Sequence, residues 1–297
     1  MAVDLTAAGR FLTTHGRLLD RHRFRFLVGE GDPEPTLAAL AAYRNADGGY
    51  GRGLEPDLRS PESQPGPALH AFEVFADVAP VTSPHATRLC DWLESVTLPD
   101  GGLPFALPTT DPTGCAPFWV QTDPHISSLQ ITAIVAANAL EVARHDAAVA
   151  GHPWLDRASR YCLAAVRGLD TRPHALVLAF AVRFLDVACE RYPEAKQLLG
   201  RLRRFVPADG LVHVDGGADD EYMRPLDFAP MPGRPARELL DPDVVAADLR
   251  RLAGEQQPDG GWRVDFHSYS PAAELEWRGY TTVRAVQVLQ RNGLLSV

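Results

Sequence analysis

The stretch Gln-Gln-Pro-Asp-Gly-Gly-Trp at residues 256–262 is the fullest copy of a phrase that recurs along the chain. Shorter copies stand at residues 45–50 and 98–103, and a worn copy stands at residues 208–211. An Asp-Gly-Gly run ends a helix, because glycine adopts the left-handed backbone angles of the turn and the aspartate can accept hydrogen bonds from nearby backbone N–H groups. Each copy therefore predicts the end of a helix.

The copies recur at a nearly constant spacing. Asp47 and Asp100 are 53 positions apart, and Asp209 and Asp259 are 50 positions apart. The 109 positions between Asp100 and Asp209 are close to two periods, so a unit that has lost its phrase is expected near residues 152–154. A repeat of about 50 residues built of helices and turns predicts stacked helical pairs.

Two kinds of helix alternate around the phrases. Amphipathic segments with charges on one face predict outer helices, and segments that are apolar on nearly every side predict helices enclosed by protein. The predicted outer helices are residues 34–45, 84–97, 153–168, 194–205 and 242–256, and the predicted inner helices are residues 66–79, 126–143, 173–190 and 281–291. Four prolines break the inner helix expected between residues 222 and 240, and no strand pattern is visible.

The phrase at residues 256–262, followed by Glu-Trp-Arg-Gly-Tyr-Thr-Thr at residues 276–282, resembles the QW-type repeat of squalene–hopene cyclases and protein prenyltransferase β-subunits. The resemblance to this terpenoid cyclase and prenyltransferase superfamily implies an all-α fold, the α/α toroid, in which five to six pairs of inner and outer helices form a ring. Residues 1–297 would then form a single domain. A long N-terminal helix, about residues 4–28, would complete or cap the ring.

Composition narrows the class of protein. The 297 residues are 45% hydrophobic, which suffices for one large core, and the net charge of −9 disfavours nucleic acid and anionic membranes as partners. The chain has no apolar stretch long enough to span a bilayer and no signal peptide, so a cytoplasmic location is expected. Lys196 is the only lysine among many arginines and alanines, which indicates a GC-rich bacterial genome.

A closed ring makes a prediction about the functional site. Every long loop from a phrase to an inner helix would arrive at the same end of the ring, where the positive ends of the inner-helix dipoles also point. The predicted catalytic residues in these loops are Asp57, Asp123, His125, Asp227 and Glu276, and the predicted substrate-binding residues are Glu55, Trp119, Tyr222, Arg224, His267, Trp277 and Arg278.

Carboxylates, histidines and aromatics in one mouth suit two chemistries. A buried carboxylic acid with a raised pKa can protonate an alkene, and aromatic faces then stabilise the carbocation. The resemblance favours this function, an enzyme like class II terpene cyclases acting on an isoprenoid-like apolar substrate, although the chain lacks the DxDD motif of that class. The alternatives are a carbohydrate-active hydrolase or lyase with paired carboxylates, and a non-catalytic binding or scaffold toroid whose mouth residues pair with one another.

Each candidate also has a structural interpretation. Asp123 could cap the following helix, Asp57 could close a turn, and Asp227 could hold a hydrogen bond within its loop. The run Glu-Trp-Arg at residues 276–278 could be an ion pair beneath a packed indole.

No cofactor is predicted, although Cys115, Asp123 and His125 could together ligate a divalent metal. The four cysteines have no CxxC spacing, and nothing in the sequence demands a disulfide. The expected partner is a small, apolar substrate molecule, and the oligomeric state is left open.

Overall fold

The computed structural model describes residues 3–295, and most of them are helical, which confirms the all-α class. The helices are α1 Leu5–His15, α2 Leu18–Leu27, α3 Pro33–Ala41, α4 Pro65–Asp77, α5 Pro84–Val96, α6 Pro117–Val120, α7 Leu129–Ala143, α8 Ala147–Ala150, α9 Pro153–Arg167, α10 Ala175–Ala188, α11 Glu194–Leu202, α12 Pro225–Phe228, α13 Pro242–Gly254 and α14 Pro271–Arg291. Two 3₁₀ turns span Arg203–Phe205 and Pro235–Leu239, and strands β1 Val212–His213 and β2 Tyr222–Met223 form a short antiparallel hairpin. None of the helices in this part of the chain is long and apolar enough to cross a membrane.

The chain divides into two compact units. The central unit is Leu40–Phe205, and the terminal unit combines Met1–Ala39 with Val206–Val297. In the terminal unit, Phe11 of α1, Trp262 and Val286 of α14 share one apolar core. That core therefore joins the two ends of the chain.

In the central unit, α4, α7 and α10 are buried along most of their length, as their apolar sequences predict. Helix α7 packs against both of the others. Helices α5 and α9 bury one face only and begin at Ser83-Pro84 and His152-Pro153, where the first residue of each pair caps the helix. The alternation of enclosed and amphipathic helices is thus confirmed within this unit.

The three Asp-Gly-Gly turns share one geometry. Their first glycines, Gly48, Gly101 and Gly260, have φ angles of +93°, +95° and +95°, a conformation that glycine adopts without steric cost. In each turn the aspartate accepts a hydrogen bond from the backbone N–H of the second glycine, at 2.9, 3.1 and 3.0 Å. The repeat in the sequence is therefore a repeat in the structure.

In the central unit, each turn also docks on the next amphipathic helix at the same place. A Cβ on Gly48 would lie 2.9 Å from the carbonyl oxygen of Arg88 in α5, and a Cβ on Gly101 would lie 3.1 Å from the carbonyl oxygen of Arg157 in α9. Both arginines are the fifth residue of their helix. Only glycine allows backbone to approach backbone so closely.

In the terminal unit, the last turn docks on α1 in the same manner. A Cβ on Gly260 would lie 2.1 Å from the carbonyl oxygen of Ala7, and the next glycine lies against Phe11, one helical turn further along α1. Helix α1 thus provides the docking surface for the last turn, as α5 and α9 do for the first two turns.

The N-terminal segment differs from the single long helix predicted at residues 4–28. Helix α1 ends at His15, Gly16 is extended, and α2 begins at Leu18. The Nε of Arg21 donates to the carbonyl oxygens of Leu12 and Gly16 at 3.1 and 3.0 Å, which satisfies acceptors that the break in the helix leaves open. Glycine is a poor helix former, and here it marks the break.

The last helix is longer than the predicted residues 281–291. Helix α14 begins at Pro271, and the side chain of Ser270 caps it by accepting from the N–H of Ala273 at 3.1 Å. The proline-rich stretch at residues 222–240 forms strand β2, the short helix α12 and a 3₁₀ turn in place of a full inner helix, as its prolines predict. The hairpin of β1 and β2 was not predicted, because two-residue strands carry no readable periodicity.

Candidate functional site

The loop between α3 and α4 is buried over most of its length, although connections usually lie at the surface. Glu55 and Asp57 in this loop are each only 4% exposed. The carboxylate of Glu55 accepts from the N–H of Asp57 at 3.3 Å, and its carbonyl oxygen accepts from the N–H of Leu58 at 3.0 Å. Two predicted site residues therefore lie in one buried turn, and buried carboxylates require polar partners.

His70 of α4 supplies that partner. Its Nε2 lies 3.0 Å from Oε2 of Glu55 and its Nδ1 lies 3.1 Å from Oε2 of Glu73. Burial alone would lower the pKa of His70, but the hydrogen bonds and negative charges of the two glutamates outweigh it and raise the pKa to about 9. The imidazole is therefore a cation at neutral pH, with each N–H donating to a carboxylate. We call Glu55, His70 and Glu73 the Glu–His–Glu triad.

Helix geometry explains part of this arrangement. His70 and Glu73 are three residues apart on α4, so they share one face of the helix. Their presence in a helix that is otherwise buried and apolar was the available signal, and the sequence analysis missed it by treating residues 66–79 as apolar. Glu55 comes from 15 residues earlier, and no local pattern indicated which inner-helix side chain it would meet.

Trp119 of the short helix α6 is 7% exposed. Its indole stacks on Phe105, with ring centroids 4.7 Å apart and an interplanar angle of 29°. The segment that carries it is tied to the loop of Asp57, because the N–H of Ala116 donates to the carbonyl oxygen of Asp57 at 2.8 Å. The predicted binding residue and the predicted acid thus belong to one local assembly.

The six-membered ring of Trp119 also lies on the first turn of α4. A Cβ on Gly66 would stand 2.9 Å from that ring, so only glycine leaves room for the indole. His70 follows four residues after Gly66, on the same face of α4. An aromatic wall therefore lies one helical turn from the Glu–His–Glu triad.

Asp123 and His125, by contrast, lie at the surface. The carboxylate of Asp123 accepts from the backbone N–H of His125 at 2.8 Å, so it closes a local turn. Within residues 3–295, no three His, Cys, Asp or Glu side chains are grouped closely enough to hold a metal ion, and this includes the set of Cys115, Asp123 and His125.

The other seven predicted residues belong to the terminal unit. Asp227 of α12 is partly buried and accepts from the N–H of Arg224 at 2.8 Å. Burial raises the pKa of Asp227, while the charge of Arg284 on α14 acts in the opposite direction. The Nε of Arg224 lies 3.5 Å from the carboxylate of Asp265. Asp227 therefore makes the predicted hydrogen bond within its loop, and the pKa of its carboxyl group is raised.

The run at residues 276–278 lies in the second turn of α14 and contacts several aromatic rings. Trp277 packs edge to face against Phe266 and Tyr280, with centroids 5.2 and 5.5 Å away. Arg278 binds both carboxylate oxygens of Asp259 at 2.9 and 2.8 Å, so it holds the last Asp-Gly-Gly turn. Glu276 is partly buried in the same segment.

Two further predicted binding residues pack against neighbouring rings. Tyr222 meets His213 across the hairpin at a centroid distance of 5.2 Å, and His267 meets Tyr269 at the same distance. Tyr269 is among the exposed large side chains. These contacts do not test whether the predicted site residues of the two units meet in one site, so that expectation stays a prediction.

Comparison with known proteins adds no relative. No protein-family model matches the chain, and no curated protein matches it. The resemblance to the toroid superfamily therefore rests on the repeated phrase alone.

Proposed function

We propose that this protein is an enzyme that performs acid catalysis on an apolar, isoprenoid-like substrate at the central unit. Asp57 is the proton donor, and the Glu–His–Glu triad supports it. The observation that carries the proposal is the pair Glu55 and Asp57, two residues apart and each 4% exposed, of which Glu55 contacts the imidazolium of His70. Buried carboxyl groups beside titratable partners are typical of acid–base sites.

The roles follow from acid strength. An imidazolium with a pKa of about 9 is too weak an acid to protonate an alkene, so the proton has to come from a carboxyl group. The imidazolium of His70 pairs with Glu55 and Glu73, so we assign the acidic proton to the third carboxyl group of the site, that of Asp57. The faces of Trp119 and Phe105 then supply the negative quadrupole that stabilises a carbocation.

Burial favours this chemistry over glycoside hydrolysis. A glycosidase needs an open, polar bowl in which tryptophan serves as a sugar platform. Here the indole of Trp119 is enclosed and stacked on Phe105, and Glu55 and Asp57 are enclosed as well. The surroundings suit a hydrocarbon skeleton better than a hydroxyl-rich one.

The α/α toroid is part of the same proposal. Its support is the docking of each Asp-Gly-Gly turn on an amphipathic helix, since the turn of Gly260 docks on α1 as the first two turns dock on α5 and α9. A series of helical pairs in which the last contacts the first is what a closed ring requires.

One observation favours a second candidate, a binding protein without catalysis. Several predicted mouth residues are already paired within the protein: Glu55 with His70, Arg278 with Asp259, and Asp227 with the backbone of Arg224. Mutual pairing is what the non-catalytic interpretation predicts.

The deciding experiment incubates the full chain with geranylgeranyl diphosphate and with squalene, and measures products by gas chromatography and mass spectrometry. We expect turnover of at least one probe, a loss of about 100-fold or more in Asp57→Asn because the general acid is removed, and activity within twofold of wild type in Asp123→Asn, the exposed matched control.

Binding of a probe without turnover would support the non-catalytic candidate. Full activity in Asp57→Asn would place the acid elsewhere.

A further inference from the structure

The indole N–H of Trp119 is buried and has no hydrogen-bond partner among the residues that the structure describes. Two other buried tryptophans differ in this respect. The N–H of Trp154 donates to Oγ1 of Thr97 at 3.1 Å, and the N–H of Trp262 donates to the carbonyl oxygen of Leu252 at 2.8 Å. Buried indole N–H groups usually find a partner, so Trp119 requires an explanation.

The surroundings of this donor are those of the candidate site. The ring of Trp119 lies against Gly66 at the start of α4 and stacks on Phe105. The segment before it is hydrogen-bonded to Asp57, whose carboxyl lies in the same buried turn as Glu55. The residue that carries this unsatisfied donor is more than nine-tenths buried and belongs to a segment hydrogen-bonded to the loop of the buried carboxyl groups.

We propose that Trp119 donates its N–H to an oxygen atom of the substrate, which rests on the proposed function of this site. The substrate is then an apolar molecule with a hydrogen-bond-accepting oxygen, and a pure hydrocarbon is a poor ligand. An indole N–H can only donate, so the partner is an acceptor. A site built to bond a polar group rejects the analogue that lacks it, because the buried donor stays unsatisfied.

The first arm of the test needs no ligand. Trp119→Phe keeps an aromatic ring and removes the N–H, and Trp154→Phe is the matched control, since it removes an N–H that has an acceptor. We expect Trp119→Phe to lower the Tm less than Trp154→Phe, because only the control loses a hydrogen bond. An equal or larger loss in Trp119→Phe would overturn the proposal, since the N–H would then have a partner in the free protein.

The second arm compares farnesol with farnesene, a hydrocarbon with the same fifteen-carbon skeleton that has an additional double bond and no hydroxyl group, by thermal shift and by direct titration. We expect farnesol to bind wild type at least tenfold more tightly than farnesene, and Trp119→Phe to bind both alike. Equal binding of both probes to wild type would overturn this inference while leaving the proposed function standing. Binding of neither would count against the proposed function and the inference together, and a preference retained by Trp119→Phe would assign the oxygen to another residue.

Discussion

His70 in the central unit and Arg284 in the terminal unit occupy the same place in the structural repeat. In the second and last repeats, the backbone N–H of the residue after the Asp-Gly-Gly turn donates to a threonine of the inner helix, Thr132 at 2.8 Å and Thr282 at 3.0 Å. These threonines are therefore equivalent positions, and Arg284 follows its threonine by two residues.

Serine contacts extend the register to the first repeat. Ser63 and Ser127 each donate to the aspartate of their turn, at 2.7 and 2.6 Å. His70 lies seven residues after Ser63, and Ile134 lies seven residues after Ser127 and two after the threonine of that helix. One inner-helix position thus holds histidine, isoleucine and arginine in three repeats.

The difference between the two cations indicates which unit is suited to proton transfer. His70 faces Glu55, and the charge of Arg284 acts on Asp227, so both units place a cation against a carboxylate. An imidazolium can release its proton, whereas a guanidinium stays charged at any physiological pH. The same position therefore carries a titratable cation in the central unit and a permanent one in the terminal unit.

The largest effect is expected when each cation is removed by substitution, because this tests directly whether the two units differ. His70→Leu removes the imidazolium from Glu55 and Glu73, and we expect a loss of about 3–5 kcal/mol in the free energy of unfolding. Arg284→Leu should cost less, because both Arg284 and Asp227 are only partly buried. Urea unfolding, analysed with one m-value for both variants, measures the two losses in the free energy of unfolding. An equal loss in the two variants would remove the distinction between the units.

The pH dependence of stability sharpens the comparison. The pKa of His70 is raised in the folded protein to about 9, so its stabilising contribution is complete below the unfolded value near 6.5 and is lost as the pH rises through 9. We expect a fall on the order of 3 kcal/mol in the free energy of unfolding over this window. The fall should be absent in His70→Leu and retained in Arg284→Leu, and the opposite pattern would contradict the assignment.

The turns provide a smaller contrast. In Gly260→Ala the new Cβ meets the Ala7 carbonyl in addition to the unfavourable φ, whereas in Gly101→Ala the nearest atom is 3.1 Å away. We expect losses of about 3 kcal/mol in the first and about 1–2 kcal/mol in the second, measured by thermal unfolding. Equal losses would show that α1 moves to accommodate the added methyl group as readily as α9 does.

The smallest effect is expected at Asp227. Burial raises the pKa of Asp227, so the ionised form costs more free energy in the folded protein than in the unfolded chain. Asp227→Asn removes that cost and keeps an acceptor for the N–H of Arg224, so stability at pH 7 should change by less than about 1 kcal/mol. Calorimetry at pH 7 checks this, and a loss above about 2 kcal/mol would show that the charge of Asp227 is needed.

The elements that the sequence predicted well are those with local causes. The Asp-Gly-Gly turns were readable because the glycine conformation and the aspartate bond lie within four residues. The enclosed character of α4, α7 and α10 was readable because a helix without a polar face has to be buried. Pro271 and Ser270 carried a readable start for α14 as well, although the helix was predicted to begin ten residues later.

The site was only partly predictable, because its contacts join distant positions. Glu55, Asp57 and Trp119 were named from their place in long loops, but their partners His70 and Phe105 were not. The tie between the segments of Asp57 and Ala116 joins positions 59 apart in sequence, and no periodicity encodes it. Asp123 shows the converse, since a local turn accounts for a residue predicted to be catalytic.

The docking of the last Asp-Gly-Gly turn on α1 has a consequence for folding during translation. Gln256 holds the backbone of Asp4 through two hydrogen bonds of 2.8 Å, between positions 252 apart. During translation α1 leaves the ribosome about 250 residues ahead of its docking turn, so the terminal unit cannot finish folding until that turn has been made. The central unit is one continuous segment, Leu40–Phe205, which can fold earlier, while the apolar face of α1 stays uncovered until its docking turn is made.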